Sequence, residues 1–173
     1  MIKRCIKLSG SKILDNIEEI KRIDRENMLS HCLKAPQYCR EAVKLTEKIS
    51  VNYSKPKRII VAGMGGSAIG GEILKDWAFN KLSIPVEVCR AYSLPAYANR
   101  ETLVFVITYS GETEEALSML LDALKKKCMI FFISSNDKNL ALAEKLEVPC
   151  IKVSSGIPPR AALPYLSLPM FKI

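Results

Sequence analysis

The chain is poor in the residues from which metal and redox sites are usually made. Its 173 residues include one histidine and six cysteines, at positions 5, 32, 39, 89, 128 and 150, with no C-x-x-C among them. His31 and Cys32 with Cys39 lack a fourth ligand at a workable spacing, so no metal is expected. A long apolar run is missing too. The longest uncharged one, CMIFFI at 128–133, falls far below the roughly 20 residues that cross a bilayer. The opening MIKRCIKLSG has basic residues without an apolar core, so no secretory signal is read and cytoplasmic residence is expected, with no membrane partner. Cys89, Cys128 and Cys150 fall in or beside apolar runs, where a reduced cysteine acts as a small hydrophobe.

Nucleic-acid binding lacks its signature as well. The formal net charge is +8, but residues 1–58 hold 14 of the 26 basic side chains and only 7 of the 18 acidic ones. The excess therefore sits in an N-terminal helical stretch, without interleaved aromatics or a known module, and reads as a solvated face; no nucleic-acid partner is expected.

What is present is a strand–helix alternation. Residues 11–50 read as helical: Ile13, Ile17, Ile20 and Ile23 recur at helical spacing after Ser11 as N-cap. A second helix is expected to start near Pro36, with Tyr38, Ala42, Leu45 and Ile49 on one face. From residue 58 the pattern changes. Strands are expected at 58–63, 85–92, 102–108, 128–134 and 149–153, with helices over 67–79, 112–127 and 138–146. The strand runs are almost continuously apolar, as when helices cover both sheet faces, so the fold class is α/β with a parallel sheet. The reading divides the chain into an N-terminal helical segment (1–57), the sheet domain (58–153) and a C-terminal arm (154–173). That arm is too apolar to lie free in water, and it must pack on its own domain, a second subunit or a partner.

Two strand-to-helix turns carry the chemistry. RIIVAGMGGSAIGG, at 58–71, feeds a β-branched run into glycines that let a backbone approach an anion at a helix N-terminus. TYSGETEE, at 108–115, repeats the arrangement with hydroxyls at Thr108, Ser110 and Thr113. A dinucleotide would use only the first turn. Gly63, Gly65 and Ala68 satisfy its G-x-G-x-x-A spacing, but the acid expected to end the second strand is missing. A compact sugar phosphate would use both turns. Capping of the second helix would explain one hydroxyl, not three. The acids of that first turn, Glu112, Glu114 and Glu115, must point away from any phosphate.

GMGGSAIGGEIL, TYSGETEEAL and PPRAALPYL, in that order, resemble the bifunctional phosphoglucose/phosphomannose isomerases of archaea and some bacteria, which are built on sugar isomerase (SIS) domains. The resemblance runs from about residue 12 to residue 166. It implies a three-layer, flavodoxin-like SIS fold with a five-stranded parallel sheet plus N-terminal helices. It also implies a phosphate clamp at Ser67, Thr108, Ser110 and Thr113, with Gly65, Gly66 and Gly111 admitting the ligand to the backbone. Arg160 matches the arginine that steadies charge on a forming enediolate, a fixed cation beside a developing oxyanion. A surface ion pair is the alternative role for Arg160. The implied ligand is a hexose 6-phosphate (glucose, mannose or fructose 6-phosphate), bound without cofactor or metal by a homodimer.

The chain departs from that pattern in three places. Thr108 stands for a usual serine, and Glu112 for a usual asparagine. A second SIS domain, which in the family brings the proton-shuttling glutamate, a ring-opening histidine and a lysine, is not matched. His31 matches no motif and reads as structural. Two functions follow from the resemblance: the phosphate-binding part of an aldose–ketose isomerase, or a non-catalytic sugar-phosphate-binding module.

Overall fold

The computed structural model describes residues 15–173 apart from Lys48 and Glu112; the expectations for Ser11, Ile13, Cys5 and Glu112 lie outside the described residues. Five strands form one parallel sheet: β1 (Arg58–Gly63), β2 (Val86–Cys89), β3 (Thr102–Thr108), β4 (Met129–Ser134) and β5 (Cys150–Lys152), in spatial order β2-β1-β3-β4-β5. All seven residues of the central β3 are buried, which is why its sequence shows no alternation.

Each strand divides its side chains between two cores. Ile59, Val61, Phe105, Ile107, Phe131 and Ile133 face one side. There they meet helix α2 (Met28–Thr46), helix α3 (Gly65–Ala78) and helix α6 (Leu163–Ser167) through Ala42, Leu74 and Tyr165. Ile60, Ala62, Val104, Val106 and Phe132 face the other, under helices α4 (Glu114–Lys125) and α5 (Asp137–Lys145). The chain thus leaves β1 by one face, adds β2 outside it, and returns to build β3 on β1's other edge. That reversal places the turns after β1 and β3 side by side at the carboxyl edge, where open α/β sheets bind ligands.

Several local expectations shift. A short helix α1 (Ile17–Ile23) is capped by Asn16, whose side chain accepts from the Glu18 and Glu19 amides. The second helix does not start near Pro36; it starts at Met28 and carries Pro36 in its interior. The stronger start signal is Asp24, whose carboxylate accepts from the Met28 and Leu29 amides at 2.7 and 2.8 Å. Pro36 and Cys32, the residue whose carbonyl it leaves without an intrahelical donor, are both exposed, so the lost bond lies on the solvent side of the helix. Helix α3 starts at Gly65 rather than Ser67.

The apolar C-terminal stretch packs on its own domain. Tyr165, Leu166 and Met170 enter the α2–α3 core, and Trp77 meets Phe171 edge-on at 5.1 Å. Glycine makes that contact close: a Cβ on Gly70 would sit 3.2 Å from the Ser167 side chain, and one on Gly71 2.7 Å from Val61 beneath. No helix among the described residues is long and apolar enough to cross a membrane.

Candidate functional site

At the first turn, β1 ends at Gly63 and Met64 takes an extended conformation as N-cap of α3, with no side chain capping the helix. Gly65 has φ +50, a left-handed value that side chains rarely adopt. A Cβ there would meet nothing within 4 Å, and one on Gly66 would meet only the Pro159 carbonyl at 3.8 Å. The start of a 14-residue helix therefore opens on unfilled space, where its dipole favours an anion. The Ser67 amide donates to the Met64 carbonyl at 3.0 Å, so from Ser67 the side chain is what remains to serve a ligand.

The second turn is built from hydroxyls. Thr108 Oγ1 accepts from the Gly111 amide at 3.1 Å and donates to Thr113 Oγ1 at 3.3 Å. Thr113 is the N-cap of α4, yet its side chain makes no cap bond. Capping therefore does not account for its hydroxyl. The two turns are joined across the sheet edge, because the Tyr109 amide donates to Ser67 Oγ at 3.4 Å.

A third segment closes over them. The buried Tyr109 phenol donates to the Ile157 carbonyl at 3.0 Å and accepts from the Ile157 amide at 3.3 Å. This tether holds the Pro159 carbonyl beside Gly66, with Arg160 next in the chain. Arg160 is exposed, and among the described residues it has no hydrogen-bond or ion-pair partner. The structure thus brings Gly65, Gly66, Ser67, Thr108, Ser110, Gly111 and Thr113 to one edge, with the Arg160 turn against the first loop.

The carboxylate of Glu115 bears on Tyr92, pushing its phenol above the ordinary value by charge and then by burial; Glu114 adds to the effect. The charge of both acids of the first turn of α4 thus reaches the segment after β2. At the end of β2, where a dinucleotide's ribose wants an acid, Arg90 stands instead, paired with Glu72 of α3 at 2.6 Å. Glu87 is held by the Tyr97 hydroxyl. His31 lies on α2 and bonds the Tyr38 hydroxyl through Nδ1 at 2.8 Å. No cluster of metal-ligating side chains occurs among the described residues.

Sequence reasoning missed Tyr109, Ser135, Asn136 and Asn139. The last three donate to the backbone of the second turn. Only Asn136 left a local trace, as the N-cap of α5.

Comparison with known proteins bears on the family and the fold. The family model described as "SIS domain" matches residues 52–163. The chain belongs to the SIS domain family. A protein of Caldicellulosiruptor bescii named bifunctional phosphoglucose/phosphomannose isomerase is 38% identical over 148 residues, covering 84% of this chain and 44% of its own length. One of the same name from Thermoplasma acidophilum is 32% identical, over 82% of this chain and 44% of its own. A D-glucosamine-6-phosphate 4-epimerase of Sulfolobus acidocaldarius is 32% identical over 64% of this chain and 35% of its own. The SIS chain therefore spans less than half the length of the curated relatives it matches.

Solved structures agree on the fold. A hypothetical protein of Thermus thermophilus superposes with a TM-score of 0.61 at 21% identity, over 92% of this chain and 41% of its own. The Vibrio vulnificus NanR protein complexed with ManNAc-6P gives 0.59 at 14% identity, over 90% and 63%.

Proposed function

We propose that this SIS domain binds the phosphate of a hexose 6-phosphate in the cleft between the turns after β1 and β3. There it would form the phosphate-holding part of an aldose–ketose isomerase that interconverts glucose or mannose 6-phosphate with fructose 6-phosphate through an enediol. The observation that carries this reading is the pairing of two unlike helix starts at one switch point. One is open backbone over Gly65 and Gly66, the other a hydroxyl turn through Thr108 and Thr113. A dianion is met there by amide and hydroxyl donors without a metal. The relatives named as isomerases support the reaction class, and one matched relative is named as an epimerase.

Arg160 is the cation of this proposal. Without a partner among the described residues and carried beside the first loop, it would steady negative charge on the enediolate oxygen as that charge develops. Glu114 and Glu115, the described acids at the start of α4, bear on Tyr92, and neither is proposed as the base that moves the proton between C1 and C2. A second reading is a sugar-phosphate-binding module without turnover of its own. An apolar stripe on α3 (Ile69, Ile73 and Trp77, each exposed) supports a homodimer, and free half-buried cysteines fit a reducing cytoplasm.

The test is calorimetric titration of glucose 6-phosphate, paired with an assay for fructose 6-phosphate. Ser110→Ala is expected to weaken binding roughly tenfold, the loss of one hydrogen bond to a charged group. Unchanged affinity would sink the clamp. Turnover by the 173-residue chain would select the enzyme reading, and binding without turnover the module.

A further inference from the structure

Three consecutive carbonyls of the second turn are held from outside it. Ser135 Oγ donates to the Tyr109 carbonyl at 2.6 Å, Asn136 Nδ2 to the Ser110 carbonyl at 3.0 Å, and Asn139 Nδ2 to the Gly111 carbonyl. All three donors sit where β4 passes into α5. Asn139 is buried, and Asn136 is anchored at both ends. Its amide donates to Ser134 Oγ at 3.1 Å, and its side-chain oxygen caps Lys138 at 3.0 Å.

The fit between turn and brace is close. Gly111 has φ +78, and a Cβ there would lie 2.4 Å from Asn136 Cβ and 2.6 Å from Asn139 Nδ2. The brace therefore reaches the backbone only because position 111 is glycine.

Carbonyl oxygens carry partial negative charge and repel a phosphate. A turn that is to receive one must present its hydroxyls and amides and keep its carbonyls elsewhere. Within the described residues, side chains of the β4–α5 junction hold three of these carbonyls, one at a time. We propose that Ser135, Asn136 and Asn139 are positioning residues for the phosphate. They never touch it, and they hold the Tyr109, Ser110 and Gly111 carbonyls on the side of the turn away from it. This inference rests on the sugar-phosphate reading of the cleft. It places determinants of affinity on a third strand-to-helix turn that contributes no ligand contact of its own.

The experiment uses the full chain, with glucose 6-phosphate titrated by calorimetry and melting followed alongside. Asn136→Ser keeps a good helix cap but is too short to reach the Ser110 carbonyl. It is expected to leave the melting temperature within about 2 °C and to weaken binding roughly fivefold to tenfold. Asn139→Ala is expected to weaken binding at least as much, and the loss should shrink when Thr113→Val is already present, because both changes act through one turn.

A lower melting temperature with an unchanged dissociation constant would mean that the brace is structural only, and would overturn the inference. If Asn139→Ala does not fold, Asn136→Ser decides alone. Should Ser110→Ala and Thr113→Val also leave binding unchanged, the turn is not the phosphate site and both proposals fall. If those two weaken binding and the brace variants do not, this inference alone fails.

Discussion

The two turns that meet at the carboxyl edge of the sheet are built by opposite means. The turn after β1 is shaped by what is missing: Gly65 and Gly66 carry no side chain, nothing lies within 4 Å of a Cβ on Gly65, and no side chain caps the helix. The turn after β3 is shaped by what is added. Its threonines bond each other, its glycine is pressed against Asn136 and Asn139, and its carbonyls are tied to a neighbouring helix start. One turn is open because its sequence is plain; the other is fixed because residues far along the chain fix it. An anion site gains from both, since open backbone admits the ligand and a braced turn spends no ordering entropy when it arrives.

The sharpest way to break this comparison is to put the same methyl group on each turn. Gly111→Ala forces a side chain into a left-handed position and into the brace at once. It is expected to lower unfolding free energy by roughly 3 kcal/mol, from strain plus a contact that neither backbone nor amide can yield. Gly65→Ala meets open space, so only the left-handed conformation counts against it, about 1 kcal/mol. Denaturant unfolding measures both, and equal losses would show that the turns are not different in kind. Binding should reverse the order of surprise. Gly65→Ala fills the space proposed for the phosphate, so its affinity loss should exceed what its small destabilisation suggests.

Thr108→Val sharpens the account of the second turn. It keeps the shape and removes the acceptor of the buried Gly111 amide, which is then left without a partner, at a cost of about 2 kcal/mol. Loss of less than ~0.5 kcal/mol would mean that the hydroxyl is there for a ligand and not for the turn.

Much of this architecture was legible because it is written locally. Continuous apolar strands, helix-spaced residues and glycines after β1 announce a covered parallel sheet and an open glycine turn within windows of ten residues or so. Thr108, Ser110 and Thr113 were readable for the same reason. The brace was not. Ser135 and Tyr109 are 26 residues apart and Tyr109 and Ile157 are 48 apart, distances over which no periodicity connects them. Pro36 shows the converse failure. A local rule placed the helix start at the proline, while a carboxylate at Asp24, twelve positions earlier, had already set it.

The smallest expected effect separates neutral fixing from charged fixing. The described bonds that brace the second turn run between hydroxyls, amides and carbonyls, which do not titrate at acid pH. The neighbouring segment 90–101 is pinned to α4 differently. Asp122 accepts from the Leu94 amide at 2.8 Å and pairs with Lys126 at 3.0 Å, and Lys126 donates to the Leu94 and Pro95 carbonyls. Burial alone would raise the Asp122 carboxyl, but the Leu94 amide and Lys126 outweigh it and hold the group below its ordinary 3.8. A carboxyl depressed by folding stabilises the protein above that ordinary value, and the contribution disappears as pH falls through the folded one. Asp122→Asn is therefore expected to cost about 1 kcal/mol at pH 7 and progressively less below pH 4. Amide exchange should show residues 90–101 loosening in acid while residues 108–111 keep their protection. If both segments loosen together, the second turn depends on a charge, and the contrast between the two means of fixing a turn would have to be drawn again with that charge included.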